Sequence, residues 1–176
     1  METKLQLTLP PVVAALLRTL QAAGHQAFVV GGCVRDSLLG RAPEDWDICT
    51  SAQPGEVEAL FQGRRLLLNG KKHGTVAVVE SGKSWEITTF RCDGAYSDGR
   101  HPDAVRFVPD VQEDLARRDF TVNAMAWSPA AGLVDPFGGQ ADLRAGVLRC
   151  VGDPNARFAE DALRVLRAPR FAAQLG

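Results

Sequence analysis

Ala27-Phe28-Val29-Val30-Gly31-Gly32-Cys33-Val34-Arg35-Asp36, followed after a short loop by Asp45-Trp46-Asp47-Ile48-Cys49, decides the fold of this chain. Four apolar residues that run into a glycine pair read as a short buried strand and a tight turn, and the stretch from Val34 to Leu39 reads as a short helix ended by Gly40. In the second stretch, strand side chains alternate faces. Asp45 and Asp47 then point one way while Trp46 and Ile48 enter a core. Two carboxylates on one face form a cradle for divalent metal, with ions roughly 3.5 to 4 Å apart shared between a triphosphate and an attacking hydroxyl. The same pair also fits a solvated strand edge.

Working outward, Pro10 and Pro11 suit a helix start, and Val12, Val13, Leu16, Leu17 and Leu20 recur at helical spacing until Gly24. Beyond the DWD strand, Thr50 and Ser51 are expected to cap a helix over Pro54 to Phe61. Arg65 to Asn69, Thr75 to Glu80 and Trp85 to Arg91 read as strands with Gly-containing turns between them. Cys92 to Asp103 reads as a loop, Ala104 to Val108 as a strand, and Val111 to Ala126 as mostly helical with Asp119 as a cap in its middle. After Asp135-Pro136-Phe137-Gly138-Gly139 come a short helix, a strand over Val147 to Val151, and a helix from about Phe158 to the end. Pro169 falls inside that last helix, where it is expected to kink or end it.

The chain has 176 residues, 45% of them hydrophobic and 23% charged, which is enough for one substantial core with a short appendage. A formal net charge of -1 gives no global basic footprint, so any grip on RNA comes from local patches. The sequence shows neither a long apolar run nor a signal-peptide layout, so a soluble, cytoplasmic protein is expected, with no membrane partner. Four scattered cysteines, Cys33, Cys49, Cys92 and Cys150, lack the close pairs of zinc sites, and most of them are expected to be reduced and packed.

Gly31 and Gly32 lie where exposed amides and the positive end of a helix can receive an anion, and Arg35 on the first helical turn can clamp a phosphate. A Gly-Gly pair also serves simply as a tight turn. A third carboxylate would complete a metal site, and Glu86 is the leading candidate, although in an alternating strand it can equally face water. Arg117-Arg118 reads either as a phosphate contact or as a solvated basic face.

These residues resemble a known family. Gly31-Gly32-Cys33-Val34-Arg35-Asp36, Leu38-Leu39-Gly40-Arg41 and Asp45-Trp46-Asp47-Ile48-Cys49-Thr50-Ser51-Ala52 are similar to the first motif of class II tRNA nucleotidyltransferases, which include CCA-adding enzymes, CC-adding and A-adding relatives, and bacterial poly(A) polymerases. Arg117-Arg118-Asp119-Phe120-Thr121-Val122-Asn123-Ala124 resembles the second motif, Asp135-Pro136-Phe137-Gly138-Gly139 the hinge motif, and Glu160-Asp161-Ala162-Leu163-Arg164 the base-reading motif. The resemblance implies an α+β head of the polymerase beta-like type, with a mixed, mainly antiparallel sheet flanked by helices, over residues 1–138. Residues 139–176 would begin a helical neck, and the body and tail that complete family members carry would be absent. It further implies Asp45 and Asp47 as Mg²⁺ ligands and Arg118, Asp119 and Asn123 near the ribose and phosphates. The loop around Arg91, Tyr96 and Arg100 would be a flexible element. CTP and ATP would be the substrates and a tRNA 3′ end the partner, with no DNA.

Asp161 and Arg164, three apart on a predicted helix, are expected to share a face. A carboxylate accepts and a guanidinium donates, so the pair matches the amino group and ring nitrogen on the Watson-Crick edge of cytosine or adenine; uracil and guanine present the reverse pattern. Without the resemblance the pair reads as an ordinary intrahelical ion pair. Glu160 is expected to orient Arg164; Arg167 reads either as a support for it or, like Arg157 and Arg170, as a solvent-facing or helix-neutralising cation. The expected activity is C and A addition to tRNA. Poly(A), CC-only or A-only addition is the near alternative, and a nucleotide-binding fragment without catalysis the more distant one.

Overall fold

The computed structural model describes residues 6–94 and 104–175. Helix α1 (Pro11–Ala22) turns Val13, Leu16, Leu17 and Leu20 inward, as the spacing predicts, with Pro11 at its first position. Strand β1 (Ala27–Val30) is buried along its whole length. Its alternation feeds two cores, since Ala27 and Val29 join one cluster and Phe28 and Val30 the other. Next come α2 (Gly32–Leu38), β2 (Asp47–Thr50), α3 (Pro54–Leu60), β3 (Arg65–Leu67), β4 (Thr75–Glu80) and β5 (Lys83–Thr89). After β6 (Arg91–Asp93) and β7 (Val105–Phe107), α4 (Val111–Ala116) leads through a 3-10 turn at Thr121–Asn123 to the hairpin β8 (Ala126–Ser128) and β9 (Gly132–Val134).

Among the described residues, seven strands form one sheet in the order β3-β4-β5-β2-β1-β8-β9, and β6 pairs with β7 separately. Only β2 and β5 run parallel; every other pairing in the large sheet is antiparallel. The mixed, mainly antiparallel sheet inferred from the resemblance is present. Trp46 and Ile48 pack into the cluster beneath α1, while Asp47 and Asp45 stay outside it, so the alternation of the DWD run holds.

Asp45 itself precedes the strand, because ladder pairing to β1 begins only at Asp47 opposite Val30. Thr50 and Ser51 do not cap α3; they are drawn back to Gln26, Thr50 donating to its carbonyl at 2.7 Å and Ser51 accepting from its amide at 2.9 Å. Gln53 starts the helix instead, its amide bonded to Glu56 at 2.7 Å.

The 111–126 segment is not one helix. It breaks after Ala116 because Asp119 is buried and turns its carboxylate to the adjacent Phe120 amide at 2.8 Å, and the apolar run Ala124-Met125-Ala126-Trp127 becomes sheet. Asp119 therefore caps no long helix. Residues 147–151 contribute only an isolated bridge between Cys150 and Phe120 rather than a strand.

The C-terminal part forms α5 (Gly139–Ala145), α6 (Pro154–Glu160) and α7 (Leu163–Leu175). The expected single helix from Phe158 is interrupted at Asp161, which is extended (φ -143°, ψ 107°), and α7 then continues through Pro169. Pro169 neither ends nor breaks it. Val165, four residues earlier, is 52% exposed, so the carbonyl that loses its amide partner lies on the solvent side of the helix.

Asp135 clasps the start of α5, accepting the Gly139 and Gln140 amides at 2.7 and 2.9 Å. A methyl group on Gly139 would lie 2.2 Å from the Thr121 carbonyl oxygen, so only glycine lets α5 seat on the 3-10 turn. Gly139→Ala is expected to destabilise the fold by roughly 2 to 3 kcal/mol. Gly55→Ala, in open space within α3, is expected to be neutral or to stabilise it by roughly 0.5 to 1 kcal/mol. Urea denaturation of the two variants measures the contrast.

Candidate nucleotide and metal site

A cleft of about 650 Å³ opens between the strand ends of the sheet, the α4 to 3-10 segment and helix α7. It gathers Gly31, Gly32, Arg35, Asp47, Arg91 and Arg118, and from the later motifs Asp119, Asn123, Asp161, Arg164 and Arg167. Asp45 and Asp47 together border a smaller adjoining cleft of about 370 Å³. Glu86 and Glu160 do not line the main cleft, and Tyr96 and Arg100 lie outside the described residues.

Gly31 holds φ at 79°, and its amide bonds to the Met125 carbonyl at 3.0 Å. A Cβ there would meet Arg118 Nη1 at 3.1 Å. The glycine therefore serves both the turn and the close passage of Arg118 across it. Arg35 is spent differently from the expected phosphate clamp. It is 5% exposed, bonds Asp36 through Nε at 2.9 Å and Nη2 at 3.1 Å, bonds the Asn123 side-chain oxygen through Nη1 at 2.6 Å, and stacks on Phe171 at 5.3 Å. Its fork holds the site together from within.

Asp45 is largely exposed and pairs with Lys83 at 3.6 Å. Asp47 opens onto the cleft, and desolvation, joined by the Asp45 charge, pushes its carboxyl above the ordinary carboxylate value against the pull of Arg118. The β2–β5 register that sets Ile48 beside Ile87 brings Glu86 next to Asp47. Desolvation and then the charges of Asp47 and Asp45 raise the Glu86 carboxyl as well. Three mutually repelling carboxylates are a donor set that a hard divalent cation would stabilise. Among the described residues no three His, Cys, Asp or Glu side chains stand close enough to enclose an ion unaided. The fit is thus for a cation that takes its remaining ligands from water and phosphate oxygens.

Arg118 gives Nη2 to Asp114 at 3.3 Å, and its Nε, buried, has no hydrogen-bond partner among the described residues. Arg167 pairs with Asp119 at 3.1 Å and likewise keeps a buried, unpartnered Nε. Such donors are costly unless an acceptor arrives. Asn123 links Asp119 to Arg35, donating to Asp119 Oδ1 at 3.4 Å.

Asp161 and Arg164 reach the same cleft, though not as neighbours on one helical face. Asp161 ends α6 and caps α7 by accepting the Leu163 amide at 2.9 Å, a choice the sequence pattern of a continuous helix conceals. Arg164, 6% exposed, is braced by Glu160 and by the carbonyls of Arg157 at 3.1 Å and Arg117 at 3.2 Å. The expected Glu160–Arg164 contact is therefore present.

Two carboxylates went unread in the sequence. Asp93, on β6, faces Arg91 at 3.3 Å and Arg117 at 3.5 Å. Asp114, on α4, pairs with both Arg117 and Arg118. Its signal was available, since it stands three and four residues before that arginine pair. All four cysteines are free thiols; burial and then the Asp47 charge raise Cys33 to about 12, and burial lifts Cys49 well above its ordinary range.

A mixed sheet carrying acidic residues at the mouth of one strand, with a glycine turn and an arginine-lined cleft beside them, is the nucleotidyltransferase fold. The poly A polymerase head domain model matches residues 27–149, and the chain belongs to that family. It is 52% identical over 169 residues to a CCA-adding enzyme of Geobacillus thermodenitrificans, covering 95% of this chain and 41% of that protein. To the CCA-adding enzyme of Lactiplantibacillus plantarum it is 50% identical over 161 residues, covering 92% and 39%. Among solved structures, Bacillus stearothermophilus CCA-adding enzyme in complex with CTP superposes with a TM-score of 0.82 at 45% identity, covering 93% of this chain and 39% of that one. Thermotoga maritima CCA-adding enzyme complexed with tRNA gives 0.72 at 30% identity, covering 93% and 38%. The chain spans about two fifths of the length of these proteins.

The site also sets the acid limit of the fold. Burial alone would raise the Asp114 carboxyl, but Arg118, Arg117 and the Arg91 amide together hold it below its ordinary 3.8. Thr121 and Arg149 outweigh desolvation at Asp142 in the same direction. With folded values depressed, the unfolded chain binds more protons in acid. The stabilisation is complete well above 3.8, begins to fall as the unfolded carboxyls protonate, and is gone once pH drops through the lower folded values. Urea midpoints are expected to drop between about pH 5 and about pH 3, and less steeply in Asp142→Asn.

Proposed function

We propose that this chain carries the nucleotide-binding and catalytic head of an enzyme that adds C and A to the 3′ end of tRNA without a template, taking them from CTP and ATP. The observation that carries the reading is the convergence in one cleft of Asp47, the glycine turn with the Arg118 guanidinium across it, and the Asp161 and Arg164 side chains. Roughly 50% identity to CCA-adding enzymes over nearly the whole chain supports it. Residues 1–138 form the head in this reading, and 139–176 begin the neck that supplies the base-reading side.

In the reaction the RNA 3′ oxygen forms a bond to the α-phosphorus of the nucleotide as the bond to pyrophosphate breaks. Asp45 and Asp47 would hold Mg²⁺, with Glu86 completing the anionic cradle; the metal supplies charge neutralisation on the triphosphate. Arg118 receives phosphate oxygens beside Gly31 and Gly32, and Asp119 and Asn123 lie toward the ribose. Asp161 accepts the amino group of cytosine or adenine, and Arg164 donates to the ring nitrogen. A carbonyl in place of that amino group leaves a buried acceptor facing a carboxylate, at a cost of roughly 1 to 3 kcal/mol. No helix among the described residues is long and apolar enough to cross a membrane, and we place the protein in the cytoplasm with its tRNA partner.

Poly(A) addition is the second reading, favoured by the family's own description. One assay separates them. The protein is incubated with Mg²⁺, each labelled nucleoside triphosphate in turn, and tRNAs ending before CCA, after C or after CC. The expected result is C and then A incorporation, reduced roughly a hundredfold or more by Asp47→Ala and made permissive to UTP by Asp161→Ala. A alone on any RNA supports the poly(A) reading. CTP and ATP binding above UTP and GTP without incorporation leaves a nucleotide-binding module, and equal weak binding of all four overturns the base-reading assignment.

A further inference from the structure

We propose that Asp114 is a positioning residue that sets the phosphate-side and base-side arginines of the cleft together, and so couples nucleotide affinity to base selectivity. The inference rests on the reading of the cleft as a nucleotide site. Asp114 does not line the cleft; it lies behind it on α4, 1% exposed. Its Oδ1 accepts Arg117 Nε at 3.0 Å and the Arg91 amide at 3.2 Å, and its Oδ2 accepts Arg118 Nη2 at 3.3 Å.

Two routes leave this carboxylate. Through Arg118 it fixes the guanidinium whose Nη1 passes 3.1 Å from the place a Gly31 Cβ would occupy. Through Arg117 it fixes a backbone segment whose carbonyl accepts Arg164 Nη2 at 3.2 Å. The Arg91 amide adds the start of β6 to the same knot. Only an ionised carboxylate can accept from all three donors. Asparagine presents an amino group to one guanidinium and loses the charge that holds both. A buried group that orients others through paired hydrogen bonds changes affinity and discrimination without touching the ligand.

The test compares wild type, Asp114→Asn, Asp114→Glu, Arg118→Gln and the double variant Asp114→Asn with Arg118→Gln. Equilibrium binding of CTP, ATP and UTP is measured on each, beside a thermal melt. Asp114→Asn is expected to melt cooperatively, bind CTP roughly ten- to a hundredfold more weakly and lose most of its CTP over UTP preference. Asp114→Glu, which keeps the charge but shifts it by one methylene, is expected to fall between. In the Arg118→Gln background the affinity loss from Asp114→Asn is expected to shrink, because one route is already cut. A folded Asp114→Asn with wild-type affinity and CTP:UTP ratio overturns the proposal, as does a lowered melting temperature with an unchanged ratio. Should Asp114→Asn fail to fold, Asp114→Glu decides by its ratio: reduced supports the proposal, unchanged overturns it. A wild-type chain that binds none of the triphosphates overturns the nucleotide reading itself, and this inference with it; wild-type binding with indifferent Asp114 variants overturns only the inference.

Discussion

The cleft depends on the seat of α7 against the rest of the fold, and one aromatic ring lies at the centre of that seat. Phe171 is 4% exposed, meets Phe120 edge-on at 5.8 Å, and has the guanidinium groups of Arg35, Arg167 and Arg170 within 4.8 to 5.5 Å of its centroid. An aromatic ring that buries apolar area and also attracts cations on its face lets arginines crowd one another at a helix contact. Arg41 secures the far end of α7 through the Gln174 carbonyl at 3.0 Å. Together with the Arg164 bond to the Arg117 carbonyl and the Arg167–Asp119 pair, that seat turns the elements bearing Asp47 and Arg118 and those bearing Asp161 and Arg164 toward a common space.

Charge is distributed around this seat with a consistent logic. Arg35 is satisfied by Asp36 and Asn123, Arg157 pairs with Glu160 at 2.9 Å, and Arg117 is shared between Asp114 and Asp93. Each buried guanidinium is thereby offset by an acidic or amide partner, as burial of charge requires. Around the cleft, Arg118 and Arg167 each keep a buried Nε without a hydrogen-bond partner among the described residues, and Asp47 opens onto the same space with its carboxyl raised by desolvation. A polyphosphate with a bound divalent cation brings both complements in one ligand.

Much of this was legible in the residues. The α1 heptad-like spacing, the buried 27–30 strand and the DWD alternation follow from periodicity alone, because each buries a face that no other pairing would cover. The errors share a cause. At Thr50, Ser51, Asp119 and Asp161, a short polar side chain chose a partner distant in sequence or at a neighbouring amide over the helical role its position suggested. The β8–β9 hairpin was hidden because Ala126-Trp127-Ser128 is too short to show a period, and it is sheet only because β1 needs a neighbour along Val29 and Val30. Asp114 was passed over since a carboxylate at helical spacing from arginines looks the same in water as in a core; only its 1% exposure separates the cases.

The junction at Asp161 and Ala162 has a mechanical side. Two residues outside helical geometry join α6 to α7, so the direction of α7 depends on a few backbone torsions at the very group that faces the cleft. With 13 residues, α7 is about 20 Å long. A rotation of about 10° at its start would sweep its far end through about 3 Å, the scale of a hydrogen bond made or lost. The torsions at Asp161 and Ala162 thus set where α7 lies along the cleft, and Phe171 and the Arg41 bond to Gln174 hold it in that place.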